Sequence, residues 1–148
     1  MTNERIKTIG YWTTTILGPA SFVIGGVLNL TQSEQVVAVM HHLGYPVYFA
    51  SILGFWKLLG AIAIVVPRFP RLKEWAYAGF FFNLTAAALS HAAVGDSTGD
   101  IVAPLVFLAL VCASWALRPA SRALAEPASG RRASAARTDR FIASPVQA

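Results

Sequence analysis

Four runs of about twenty apolar residues constrain this chain more than any other feature, because that is the length a helix needs to cross a bilayer. They cover residues 9–30, 48–66, 75–94 and 101–117. Each holds too few charges for a soluble helix, and none alternates apolar with polar as barrel strands do. Composition agrees: 55% of the 148 residues are hydrophobic and 13% are charged, about half the charge of an average soluble domain. Such a chain lacks the polar side chains to cover a compact soluble surface. The expected fold is all-α, an integral membrane four-helix bundle occupying residues 1–119. Arg5 and Lys7 precede the first run, which raises a cleaved signal peptide as the competing reading. The apolar stretch exceeds the ~7–15 residues of such signals, so a retained helix is expected.

Two connections are short, residues 67–74 and 95–100. The third is longer and contains SEQVVAVMHHLG, with Val36, Val37, Met40 and Leu43 at helical spacing. This predicts a short amphipathic helix on the membrane surface between spans one and two. Ser33 is placed to cap it, and Gly44 with Pro46 to stop it.

The cations set the topology. Eleven of the twelve lysines and arginines fall in the N-terminal segment, the second connection and the C-terminal segment. By the positive-inside rule both termini are cytoplasmic. The net charge of +5 is thereby explained without nucleic acid as a partner. Residues 120–148, rich in Ala, Ser, Arg and Pro, read as a disordered basic cytoplasmic tail, able to rest on anionic headgroups. Cys112 is the single cysteine, which excludes chemistry needing two thiols within the chain.

The twelfth cation is Lys57, inside the run ILGFWKLLGAIAIVV. A lysine at a helix centre costs ~2.5–3.5 kcal/mol on insertion scales. Nine residues separate it from either end of its span, about 13 Å of helix, too far for easy snorkelling. Asn83 sits at similar depth in span three. Small and polar residues mark packed faces in membranes. They form the stripes Thr14, Gly18, Ser21, Gly25, Asn29 in span one, Ala50, Gly54, Lys57, Ala61 in span two, and Ala76, Gly79, Asn83, Ala87, Ser90 in span three. Lys57 and Asn83 are therefore expected to be neighbours. Thr14, Thr15, Ser51 and Thr85 are further hydroxyl partners for the lysine, and no span core contains Asp or Glu. Two readings stay open: a site for an anionic or carbonyl-bearing ligand such as a quinone, with Lys57, Asn83 and Trp56 around it, or a structural lysine bonded within the bundle or across a subunit interface.

His91, Asp96 and His41 form an outer-side polar cluster, with His42 and Asp100 nearby. Their spacing matches no zinc motif, and no metal is expected. Only His91 lies in a span, whereas a membrane haem usually takes two axial ligands. Trp12, Trp75 and Trp115 fall at interface depth, as an aromatic belt requires, while Trp56 is deeper and is placed beside the lysine.

The motifs LGYP, ILGFWKLLG, PRFPRLKEWAYAGF, and SH followed by GD resemble the DoxX-like membrane proteins, with IGYW and SWALRP fitting at the two ends. The resemblance covers residues 9–119. It implies a four-helix protein of the bacterial inner membrane, and Lys57, His91 and Asp96 match characteristic family positions. This chain reads FFFN, with Asn83, where relatives often read FxFD, so if that aspartate pairs with the lysine in relatives, the pair is absent here. The family takes its name from a subunit of a thiosulfate:quinone oxidoreductase, although most relatives have no assigned activity. The leading expectation is a non-catalytic membrane subunit or a quinone- or lipid-binding module, in the lipid bilayer and associated with a membrane redox complex. A small homo-oligomeric transporter and a structural or assembly protein are the alternatives. An independent enzyme has the least support, since there is no nucleophile–base set and no nucleotide loop. Small multidrug exporters carry an acidic residue early in span one, which this chain lacks.

Overall fold

The computed structural model describes residues 3–119 together with Arg122 and Leu124, with side chains from Arg5 onward. Every regular element among them is helical: α1 (Asn3–Leu17), a 3-10 turn (Pro19–Ser21), α2 (Phe22–Leu30), α3 (Glu34–His42), α4 (Val47–Val65), α5 (Pro70–Val94) and α6 (Thr98–Ala116). Apart from Arg122 and Leu124, the basic tail of 120–148 lies outside the described residues.

Three segments are long and apolar enough to cross a membrane: Arg5–Leu30, Val47–Val65 and Thr98–Ala116. The fourth apolar run sits inside α5, whose first turns carry Arg71, Lys73 and Glu74. The expected span over 9–30 is present as one crossing, but its helix is interrupted. Pro19 has no N–H for a helical bond, and its ring crowds the preceding turn. Gly18 leaves the helical region with φ −96° and ψ −97°, and the chain restarts at Phe22.

The helices close into a ring. α1 packs on α6, α2 on α4, α4 on α5, and α5 on α6. The α2–α4 crossing depends on glycine, because a Cβ on Gly54 would meet the Gly26 carbonyl at 2.7 Å and the Leu30 amide at 2.9 Å. Only two bare backbones approach so closely. The packed core is Phe22, Ala61, Ile64, Tyr77, Phe80, Leu84 and Val111. It fills the half of the bundle where α4 ends and α5 begins. Large side chains such as Ile24, Trp56, Phe82 and Leu89 point outward, which suits a lipid surface.

The span-two stripe is inward as expected, with Ala50, Gly54 and Ala61 buried and Lys57 half-buried. Span three is rotated from expectation. Tyr77, Phe80, Leu84 and Ala88 bury there, while Gly79 is exposed. The bulky face makes the packing, and the small face of Asn83, Ala87 and Ser90 lines open space.

α3 is helical where expected, but its apolar residues do more than rest on a surface. Val36, Met40 and Leu43 turn onto that same space. Ser33 stands at the N-cap position, yet its hydroxyl makes no capping bond. Gly44 ends the helix with φ +76°, where the amide of Tyr45 bonds back to the Met40 carbonyl at 2.8 Å.

Candidate functional site

The open half of the bundle encloses a cavity of about 380 Å³, within the ~300–1,000 Å³ range of small-molecule sites. α3 roofs it with Val36, Val39, Met40 and Leu43, and Gln35 stands at the edge. α4 contributes Phe49, Leu53 and Lys57, α5 contributes Asn83, Ala86, Ala87, Ser90 and His91, and Asn29 reaches in from α2. The Tyr45 ring closes the turn after α3 and stacks on Phe49 at 5.5 Å.

Lys57 and Asn83 both line this cavity. Two polar atoms there are unmet. The Asn83 Oδ1 is buried with no hydrogen-bond partner. Lys57 donates no side-chain hydrogen bond to any described residue, and its ammonium stands over the Phe22 ring at 5.9 Å. The four hydroxyls offered by the sequence are committed elsewhere. Thr14 and Thr85 bond back to their own helices, Thr15 meets Ser114 at 2.6 Å, and Ser51 accepts from Gln32 at 3.0 Å.

The rim is different, because its polar groups are paired. Tyr45 and Ser90 share a hydrogen bond of 2.9 Å. Asp96 bridges two imidazoles, His42 at 2.6 Å and His91 at 2.7 Å. Gly95 makes this possible: at φ +79° it ends α5 and turns the Asp96 amide back to the His91 carbonyl at 3.0 Å. The hydrogen bonds from His91 and then His42 hold the Asp96 carboxyl below its usual range. Asp96 thereby ties the end of α5 to α3. Its two oxygens each serve one ring, and no group of three or more His, Cys, Asp or Glu among the described residues is arranged to hold a metal ion.

Two expected members lie elsewhere. Trp56 is 63% exposed and stacks edge-on against Phe55. It cannot share a face with Lys57, since consecutive helical residues diverge by about 100°. The same rule separates the histidines: His41 is exposed, and His42 takes its place on Asp96.

At the opposite end lies a cluster the sequence reading missed. Lys73 is fully buried and donates to the last carbonyls of α4, Ala63 at 2.9 Å, Ile64 at 2.5 Å, and Val66. Arg122 adds a bond of 3.2 Å to the Val65 carbonyl and lies over the Trp12 ring. Glu74 accepts from Arg118 at 2.6 Å and from the Trp115 indole at 2.8 Å. Thr15, Ser114 and Tyr77 form a buried hydroxyl chain with steps of 2.6 and 2.8 Å. The only signal in the sequence was a lysine one turn into a helix that follows a proline-ended helix.

Compared with known proteins, residues 13–114 match the family described as the DoxX-like family. Among curated proteins and solved structures, none matches the chain.

Proposed function

Since this chain belongs to the DoxX-like family and is a multi-pass membrane protein, we propose that it is a non-catalytic binding module that holds a small lipophilic molecule, such as a quinone or a lipid, between its helices. The observation that carries this reading is the pair Lys57 and Asn83 in one cavity, the lysine without a hydrogen-bond partner and the Asn83 Oδ1 orphaned. An unpartnered ammonium in an apolar wall is costly, and no described acceptor bonds Lys57. Lys73 found three.

In this reading α5, 25 residues long and so about 37 Å, is the fourth crossing. The protein sits in the bacterial inner membrane with both termini in the cytoplasm, where eleven cations gather. The cavity then lies in the outer half, under α3. Beyond Lys57 the Phe22 and Phe80 rings meet at 4.4 Å, tilted by 38°, within the core. That packed floor favours a pocket over a transport path. The protein works as a subunit beside redox enzymes, delivering or retaining the bound molecule while a partner performs the chemistry.

The test is mass spectrometry of lipophilic molecules copurifying with the native chain and with Lys57→Met from the same membranes. One molecular species enriched with the native chain and lost from the folded variant is expected. Identical bulk lipids in both samples would overturn the reading.

A further inference from the structure

Building on that reading of the cavity, we propose that its ligand is a single-chain monoanionic amphiphile, of the fatty-acid class, whose carboxylate sits between Lys57 and Asn83 and whose tail runs beneath α3.

The polar head is placed at the deep end, where the Asn83 Oδ1 is buried without a partner beside the Lys57 ammonium. At the rim, Tyr45, Ser90 and His91 already have partners. At the base, among the described residues, Lys57 has no side-chain hydrogen-bond partner and the buried Asn83 Oδ1 has none. The charge of the head follows from the acidic inventory. The described acidic side chains are Glu34, Glu74, Asp96 and Asp100, and none lines the cavity. Asp96 is held by His42 and His91, Asp100 by the Ser97 hydroxyl, and Glu74 by Arg118 and Trp115 at the far end. Glu34 is exposed at the start of α3. The described residues thus supply a cation in an apolar wall and no anion beside it. A carboxylate supplies that charge and accepts a charge-assisted hydrogen bond from the ammonium. Turning the Asn83 amide about its last bond exchanges oxygen for nitrogen, so that it donates to the second carboxylate oxygen.

The tail follows from the walls. Leu53 and Phe49 rise from Lys57 along α4, and Val39 and Met40 cover them from α3. The cavity of about 380 Å³ stands near the low end of the ~300–1,000 Å³ range of ligand sites, which suits one hydrocarbon chain rather than the two of a phospholipid.

The experiment uses the full chain in lipid nanodiscs with two probes, a diazirine-bearing palmitic acid and its methyl ester. Photolabelled residues are mapped by mass spectrometry in the wild type, Lys57→Met and Lys57→Arg. The acid is expected to label cavity residues of α3 and α4 at least tenfold more than the ester. Lys57→Met should abolish that preference and Lys57→Arg retain it, with unlabelled palmitate competing. Melting curves confirm that the variants are folded. Equal labelling by acid and ester, both lost in Lys57→Met, would overturn the anionic head while leaving a cavity for a neutral amphiphile. Labelling confined to lipid-facing residues for both probes would overturn this inference and the binding reading together.

Discussion

Lys73 and Lys57 are both lysines enclosed by apolar helices, and the two ends of the molecule treat them in opposite ways. Lys73 is fully buried, yet it meets three carbonyls that α4 leaves over at its C-terminus. It solves a problem set by the backbone. Lys57 is half-buried at the middle of the same helix, where every carbonyl is already used by the next turn. It faces a cavity and an orphaned amide oxygen. Lys73 is fully enclosed, whereas Lys57 lines an open cavity. The contrast teaches that a buried cation is informative through its acceptors. One with backbone acceptors is part of the fold, and one without them is open to a partner that the described residues do not supply.

The sharpest way to break this comparison is to remove each ammonium in turn. Lys73→Met strips the donor from two buried carbonyls, Ala63 and Ile64, and from the partly buried Val66 carbonyl, and each buried group costs ~1–3 kcal/mol when unmet. A loss of about 3 kcal/mol or more is expected in reversible unfolding from detergent micelles. An unchanged midpoint would mean that water or another side chain serves those carbonyls.

Lys57→Met should move stability the other way. Replacing an unpaired intramembrane cation by an apolar side chain of similar length returns up to ~2.5–3.5 kcal/mol in ligand-free protein. The variant is expected to melt higher than the wild type. Destabilisation comparable to Lys73→Met would show that Lys57 is structural after all, bonded across a subunit interface.

A smaller effect concerns the roof. The Asp96 carboxyl is held below its usual range by hydrogen bonds from His91 and His42, so its folded-state pKa is depressed. Its stabilisation is therefore complete above the ordinary carboxylate value of about 4 and fades as pH falls through the lower folded value. Amide exchange of α3, corrected for intrinsic rates, should stay slow down to about pH 5 and accelerate in stronger acid. Asp96→Asn should show weaker protection of α3 throughout. Equal protection in both proteins would mean that Tyr45 and Ser90 hold the roof without Asp96.

Much of the architecture was legible because hydropathy is read over long windows. The ends of the apolar runs agree with α4 and α6 to within a few residues, and SEQVVAVMHHLG forms α3. That Lys57 and Asn83 lie at similar depth was legible too, since depth is a property of a single helix. What failed were inferences that need a second helix. The stripe of span three was read as packing, but small residues permit either close approach or empty space, and only the neighbouring helix decides which. Asn83 and Ala87 turned out to be walls. Lys73 counted as one more loop cation because charge counting does not see the end of α4. Trp56 and His41 were misplaced for a simpler reason: neighbours in a helix point apart, a rule available from the sequence itself. The break at Gly18 and Pro19 was visible as well, but hydropathy averages over it.

The most direct test of the central claim is an electron cryomicroscopy structure of the chain purified from native membranes and kept in its own lipid. The account predicts continuous density under α3 that ends within hydrogen-bonding distance of the Lys57 Nζ and the Asn83 side chain. An empty cavity with Lys57 bonded to a protein acceptor would contradict it.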